Sequence, residues 1–460
     1  MTTSVDSPSW FKASSPGPLS YPRSVALWFI RSLESYCPLS AMDSRPRVGS
    51  RDLCLRSAAV RWRSLEGEEG SWALPARRVT AHEAGPPGPE LVAAPHGGTA
   101  RIELWGFQRC GSTGRLASGR RRWRGSHLLR SGVRVGFVDI DQLGMCYPEQ
   151  PDDRGRYRLA ATNLAAVAAG HRAAGAEAIV VSGVVDPVRG RPEVPGLAIT
   201  GCRLRADPGE LTARLVARTG SGAQAAKAVA EGELLNRLVS SDSWVDTTSR
   251  PVDEVVRLVQ DVTAGWLDRT TTSTAPPLSQ CDADGRVLWL CGATGVGKSS
   301  VGFPYFLRHL PGAFVDLDQI GFFPSSGTNT HQVRAEILAS MWSTFHTAGA
   351  ERLTVVGPVG SRDDVAQYQR ALPHSELIVC RLHASANDLT NRVLSRATGS
   401  GWSQPGDPLR GRSAGELHEV ARGAVDEAER LDAHGVGHLR IDTDGLNPIE
   451  VAEAVDAIIG

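Results

Sequence analysis

The residues best suited to chemistry in this sequence are consecutive. Gly292-Ala293-Thr294-Gly295-Val296-Gly297-Lys298-Ser299 reads G-x-x-x-x-G-K-S. Glycines at those positions let a backbone wrap an anion with its N–H groups pointing inward, and a helix starting at the lysine adds its partial positive charge. In such a loop Lys298 reaches the β- and γ-phosphates of a nucleotide, and the Ser299 hydroxyl ligates Mg²⁺, with Ser300 following in the first helical turn. The chain has only three lysines, at 12, 227 and 298, and relies on arginine elsewhere, so a lysine here is not background.

Other candidates lie downstream. Asp316 and Asp318 stand at or just past the end of an apolar strand, where ligands bind in a parallel sheet. Their spacing puts both carboxylates on one side of an extended chain. One could hold Mg²⁺ through water and the other could accept a proton from an acceptor hydroxyl; a solvated turn is the plain alternative. Arg392 and Arg396, one helical turn apart, run into Gly399-Ser400-Gly401 and then 405–412, a Gly/Pro stretch with further arginines. A loop of that kind can close as a lid and place guanidinium charge on a transferring group; an ordinary surface loop is the alternative. Gly357-Pro358-Val359-Gly360-Ser361-Arg362 is either a plain turn or an approach to substrate with Arg362 as an anion contact. His309, His331, His346 and His374 show no metal-ligand spacing.

The elements that must carry these residues are legible. Val287-Leu288-Trp289-Leu290-Cys291 precedes the loop as a short unbroken apolar run, the pattern of a parallel strand buried on both faces. Strands are expected at about 286–291, 313–317, 352–357, 376–382 and 437–442. Helices are expected at 298–309, 331–347, 363–371, 386–396, 414–431 and 447–459. Alternation of this kind implies a parallel sheet covered on both faces. Ser413-Ala414-Gly415-Glu416 reads as a capping box for the long helix.

Much of this pattern occurs twice. Val138-Asp139-Ile140-Asp141-Gln142 echoes Val315-Asp316-Leu317-Asp318-Gln319. Leu211-Thr212-Ala213-Arg214 echoes Leu389-Thr390-Asn391-Arg392, and Val245-Asp246-Thr247 echoes Ile441-Asp442-Thr443. We read two tandem copies of one α/β unit: 105–268, then a Thr/Pro/Ser linker at 269–282, then 283–460. The first copy carries Cys110-Gly111-Ser112-Thr113-Gly114 but has Leu116 and Ala117 where Gly297 and Lys298 stand. Arg120–Arg124 fills its expected helix, so its first strand and helix are expected to be damaged. The first copy is then either a degenerate partner or the product of a frame error. Residues 1–104 mix Pro, Ser, Gly, Arg and Trp without sustained period and are expected to be disordered; a misplaced start in a GC-rich gene gives the same texture.

Charge and composition narrow the function. Lys+Arg and Asp+Glu are both 50, so the chain does not read as a general binder of nucleic acid or membrane surfaces. No apolar run approaches a membrane span. Eight scattered cysteines form no C-x-x-C pair, which points to reduced, mostly buried thiols in the cytoplasm.

On the loop Gly292–Ser299, the turn Asp316–Asp318, the glycine-bearing turn after the third strand and the Arg-flanked loop, residues 284–460 resemble the small P-loop kinases: shikimate, gluconate and nucleoside-monophosphate kinases. The resemblance implies a P-loop NTPase fold with a five-stranded parallel sheet in the order 2-3-1-4-5, and ATP and Mg²⁺ as cofactors. It implies that Lys298, Arg392 and Arg396 stabilise the phosphoryl group, that Asp316 lies on the Mg²⁺ side and that Asp318 contacts the acceptor. Asp442 falls in the region that contributes to the adenine pocket. Arg334 and Arg362 are the candidates for acceptor-binding arginines, and the acceptor itself, a small metabolite, stays open. The alternatives are a non-catalytic nucleotide-binding regulatory protein and an ATPase driving a partner protein.

Overall fold

The computed structural model describes residues 101–107, by backbone alone, and most of 134–459, the longest breaks being 267–277, 321–329 and 397–408. In the first half the elements are β1 (Arg101–Phe107), β2 (Val135–Asp139), a 3₁₀ turn (Ile140–Gly144), β3 (Cys146–Tyr147), α1 (Tyr157–Ala173), β4 (Ala178–Gly183), β5 (Ala198–Arg205), α2 (Pro208–Thr219), α3 (Gly222–Arg237), β6 (Ser243–Asp246) and α4 (Val252–Val262). The second half has β7 (Gly285–Cys291), α5 (Lys298–Arg308), β8 (Gly312–Asp316), α6 (Thr330–Thr347), β9 (Arg352–Val356), α7 (Arg362–Ala371), β10 (Ser375–His383), α8 (Ala386–Ser395), α9 (Ala414–Ala433), β11 (Leu439–Asp442) and α10 (Pro448–Ile459).

Both halves are α/β with parallel sheets. The first sheet runs β2-β4-β1-β5-β6 and the second β11-β10-β7-β9-β8-β3. Counted within each half, the parallel strands of both sheets follow the order second, third, first, fourth, fifth. β1 begins at Arg101, inside the stretch 1–104 that composition set apart, so the boundary at 104 cuts a strand. That strand was expected to be damaged, yet its backbone pairs with β4 from Arg101↔Ala178 to Gly106↔Gly183 and with β5 on its other side. Its partners lie far along the chain, which is why local composition could not show it. The expected disorder of the N-terminal region, the Cys110–Gly114 segment and the Arg120–Arg124 run lie outside the described residues.

Period-two alternation explains the unbroken apolar strands. In β7, Val287, Trp289 and Cys291 face one core, while Leu288 and Leu290 face the other, with Phe314, Val356, Cys380 and Leu382. Each fully buried side chain of this size contributes about 1.5–3 kcal/mol. The first core does not stop at the half. It continues through Trp342, Ile337 and Val333 of α6 into Leu164, Val167 and Ala168 of α1 and on to Ile179 and Val181 of β4. α1 and α6 approach closely because Gly170 has no side chain: a Cβ there would lie 2.3 Å from Ile337 Cγ1.

A second contact joins the halves. β3 pairs antiparallel with β8, Cys146↔Ala313 and Tyr147↔Gly312, and Phe314 N–H donates to Met145 O at 2.8 Å. β8 is therefore not an edge strand, and the exposed ladder groups of an edge are covered. Gln150 donates to the Ala348 carbonyl, and the Tyr147 ring sits 6.0 Å from that of Phe306. The capping box forms as expected, with Ser413 Oγ accepting from Glu416 N–H. Among the described residues, five cysteines are buried free thiols, and no helix is long and apolar enough to cross a membrane.

Candidate active site

β7, between β10 and β9, delivers the chain to the glycine loop at its carboxyl end. The turn needs glycine. Gly292, Gly295 and Gly297 have φ of 137°, 83° and 105°, and a Cβ at Gly292 would stand 2.4 Å from the Leu382 carbonyl oxygen. Gly297 caps α5 without a side-chain hydrogen bond, so the first N–H groups of the helix are left to the loop. Ala293 and Val296 are buried in the core and can serve a ligand only through their backbone. Ser300 is half-buried in the first turn of α5.

The ionisable groups converge here. Lys298 Nζ donates to the carbonyls of Gly292 at 2.7 Å and Ala293 at 3.1 Å. Ser299 Oγ donates to Asp316 Oδ2 at 3.1 Å, across from the end of β8. Asp318 N–H donates to Asp316 Oδ1 at 3.0 Å. Asp316 is only 7% exposed. Burial, and then the charge of Asp318, pushes its carboxyl up to about 6, against the smaller pull of Ser299 and Lys298. Asp318 is half-exposed, and its Oδ1 lies 3.9 Å from Arg334 Nη2. Arg334 Nε is buried without a hydrogen-bond partner. The fold thus brings Lys298, Ser299, Asp316 and Asp318 together, with Arg334 beside them.

Other predicted residues stand elsewhere. Arg392, on α8 just before the undescribed 397–408, turns to the loop and to the residue after β11. Its Nη1 donates to Val296 O at 3.0 Å and Thr443 Oγ1 at 2.8 Å, and its Nη2 to Thr443 O at 2.7 Å. It ties the loop's backbone to the turn after β11. Asp442 is exposed and accepts from Arg440 Nε at 3.2 Å and Nη2 at 2.9 Å; neither bond involves the loop. Arg362 Nε donates to Gly435 O at 3.3 Å, away from the carboxylates. Arg396 follows α8, half-buried, and the lid expected at 397–408 lies outside the described residues. His309 and His346 pair with Asp456 and Asp284, each at 3.0 Å, as structural histidines do.

One contact had no signal in the sequence. Glu427, on α9, accepts from Thr294 N–H at 2.9 Å and Thr294 Oγ1 at 3.1 Å through a single oxygen. Nothing in local spacing links residues so far apart.

The residues fit Mg²⁺ and a nucleotide phosphate chain. A hydroxyl and a buried carboxylate lie 3.1 Å apart at the mouth of a loop whose lysine donates to the loop's own carbonyls. Mg²⁺ commonly takes few protein ligands and completes its shell with water and phosphate oxygens. Among the described residues, no group of three or more His, Cys, Asp and Glu is placed to hold a metal by itself.

Fold and site together define an α/β protein of parallel sheets with a glycine–lysine loop running from a central strand into a helix. No protein-family model matches the chain, and no curated protein does. Among solved structures it is similar to the tunicamycin resistance protein of Deinococcus radiodurans, at 18% identity over 38% of this chain and 96% of that one, TM-score 0.27. It is similar to shikimate kinase from Acinetobacter baumannii in complex with shikimate, at 16% identity over 38% and 93%, TM-score 0.26. A gluconokinase from Sinorhizobium meliloti is similar at 18% identity over 38% and 90%, TM-score 0.26.

Proposed function

We propose that the second half is an ATP-dependent phosphotransferase acting on a small metabolite that offers a hydroxyl or phosphate group. The observation that carries this reading is the Ser299–Asp316 pair, 3.1 Å apart beside Lys298 in a loop shaped by positive-φ glycines. Magnesium-ATP, when bound, supplies a transferable phosphoryl group. The loop's N–H groups and the start of α5 hold the phosphate chain. Lys298, now on the Gly292 and Ala293 carbonyls, would exchange them for phosphate oxygens and offset their negative charge. Ser299 and Asp316 would hold the metal between them. Asp318, exposed and adjacent, accepts the proton of the acceptor hydroxyl, and Arg334 steadies an anionic part of the same acceptor.

The two halves are copies of one unit on this reading. Support comes from the shared strand order and from matched hydrogen bonds. Arg214 donates to Thr247 Oγ1 at 3.1 Å and Thr247 O at 2.8 Å, as Arg392 does to Thr443. Asp141 N–H donates to Asp139 Oδ1 at 3.2 Å, as Asp318 does to Asp316. The first copy has Ala117 in the lysine position, so one catalytic centre per chain is expected. That same loss favours a second reading, a regulatory protein that binds nucleotide without turnover.

Purified protein with ATP, Mg²⁺ and a panel of hydroxyl-bearing metabolites separates the two. ADP release that depends on one acceptor supports the phosphotransferase, and nucleotide binding without turnover for any acceptor supports the regulator. If no nucleotide binds at all, both readings fail.

A further inference from the structure

The glycine loop of the second half is already in contact with a negative charge. Thr294 lies between Gly292 and Gly295, both at positive φ. Its N–H and hydroxyl converge on one oxygen of Glu427, at 2.9 and 3.1 Å. α9 is seated firmly enough to hold that carboxylate in place. Ala428, the next residue, packs in one core with Ala293 and Val296 of the loop itself. Leu417 and Ala421 pack with Val393 and Leu409 a little further back. Among the described residues, no arginine, lysine or histidine pairs with Glu427, so the donors of Thr294 are what answer its charge.

A loop built to gather phosphate oxygens offers donors of the same kind that Glu427 accepts from. A carboxylate there repels a phosphate chain, and it costs the loop two donors while it stays. Resting on the nucleotide reading above, we propose that Glu427 is an internal anion that competes with the nucleotide phosphates for the Thr294 donors, and that it thereby sets how tightly the loop takes a nucleotide. The effect grows with the charge of the phosphate chain, so a triphosphate gains more from its removal than a diphosphate.

Glu427→Gln isolates the charge, because glutamine keeps an acceptor oxygen for Thr294 and loses only the negative charge. Glu427→Ala removes the acceptor as well. Calorimetric titration of the full chain with ADP, ATP and inorganic triphosphate in Mg²⁺ measures the outcome, with a thermal melt of each variant to show that it is folded. Both variants are expected to bind ATP about tenfold more tightly than the wild type, with a smaller gain for ADP. Wild-type or weaker ATP affinity in Glu427→Gln overturns the competition, and weakening confined to Glu427→Ala assigns Glu427 to positioning Thr294 instead. If none of the three proteins binds any of the three ligands, the nucleotide reading falls and this inference with it. Equal binding by all three removes the inference alone.

Discussion

Arg214 and Arg392 do the same thing in two settings. Each sits on the helix after the fourth strand of its half and reaches the threonine after the fifth, Thr247 or Thr443, with bonds of 2.7–3.1 Å. Each threonine then donates to the end of the fourth strand, Thr247 Oγ1 to Arg205 O at 2.8 Å and Thr443 Oγ1 to His383 O at 3.0 Å. The first half keeps this clamp although its sequence has no loop lysine. In the second half Arg392 also donates to Val296 O, so there the clamp braces the loop as well. The halves diverge again after the aspartate turn. In the first, Met145–Tyr147 is committed to pairing with β8 of the second. The first half thus lends a strand to the sheet of the second, and the lysine and serine of the glycine loop and the aspartates beside them lie in the half that receives it.

The widest test of that division is Lys298→Ala. It should lower acceptor-dependent ADP release by about 10²–10³, while circular dichroism shows the fold intact. Next in size are the clamps. Arg214→Ala and Arg392→Ala should each lower stability by about 2–3 kcal/mol in urea unfolding, since each leaves several buried acceptors unanswered. Only Arg392→Ala should also weaken nucleotide affinity. If Arg392→Ala costs affinity and no stability, Arg392 belongs to the nucleotide site and the parallel with Arg214 is broken.

Asp316→Asn sharpens the contrast between fold and function. Burial holds this carboxyl up at about 6, so ionised Asp316 burdens the folded state at neutral pH. The asparagine should raise stability by about 1–2 kcal/mol at pH 7.5 and abolish Mg²⁺-dependent nucleotide binding. An unchanged melting curve would count against the burial argument. An effect of similar size concerns His171 in the first half. Burial, with Arg334 nearby, pushes its imidazole down to about 3. Between that value and the ordinary 6.5 the unfolded chain binds the proton and the folded chain does not, so stability falls as pH drops below about 6.5. His171→Gln should flatten that fall by up to about 1.4 kcal/mol per pH unit, measured by urea unfolding from pH 7 to 5. A slope equal to the wild type's would show that His171 is not the group responsible.

Local order decided a good deal. Gly292–Ser299 could be read from spacing alone because the loop's geometry depends on residues within one turn of each other. β7, β8 and β9 announced themselves as apolar runs because both faces of a parallel sheet are buried, and Ser413–Glu416 because a capping box closes within four residues. Asp316 and Asp318 could be placed at a strand end, but the buried state of one and the exposure of the other came from what packs around them. The bonds of Arg392 could not be read because its partners, Val296 and Thr443, are remote in the chain and meet it only when β11 folds beside β10. Glu427 was invisible for the same reason, and so were β3 and the start of β1 at Arg101, whose pairing lies with distant strands. Short-range hydrogen bonding and hydrophobic period belong to the sequence; which long-range partner a charged side chain finds is settled only when the sheets assemble.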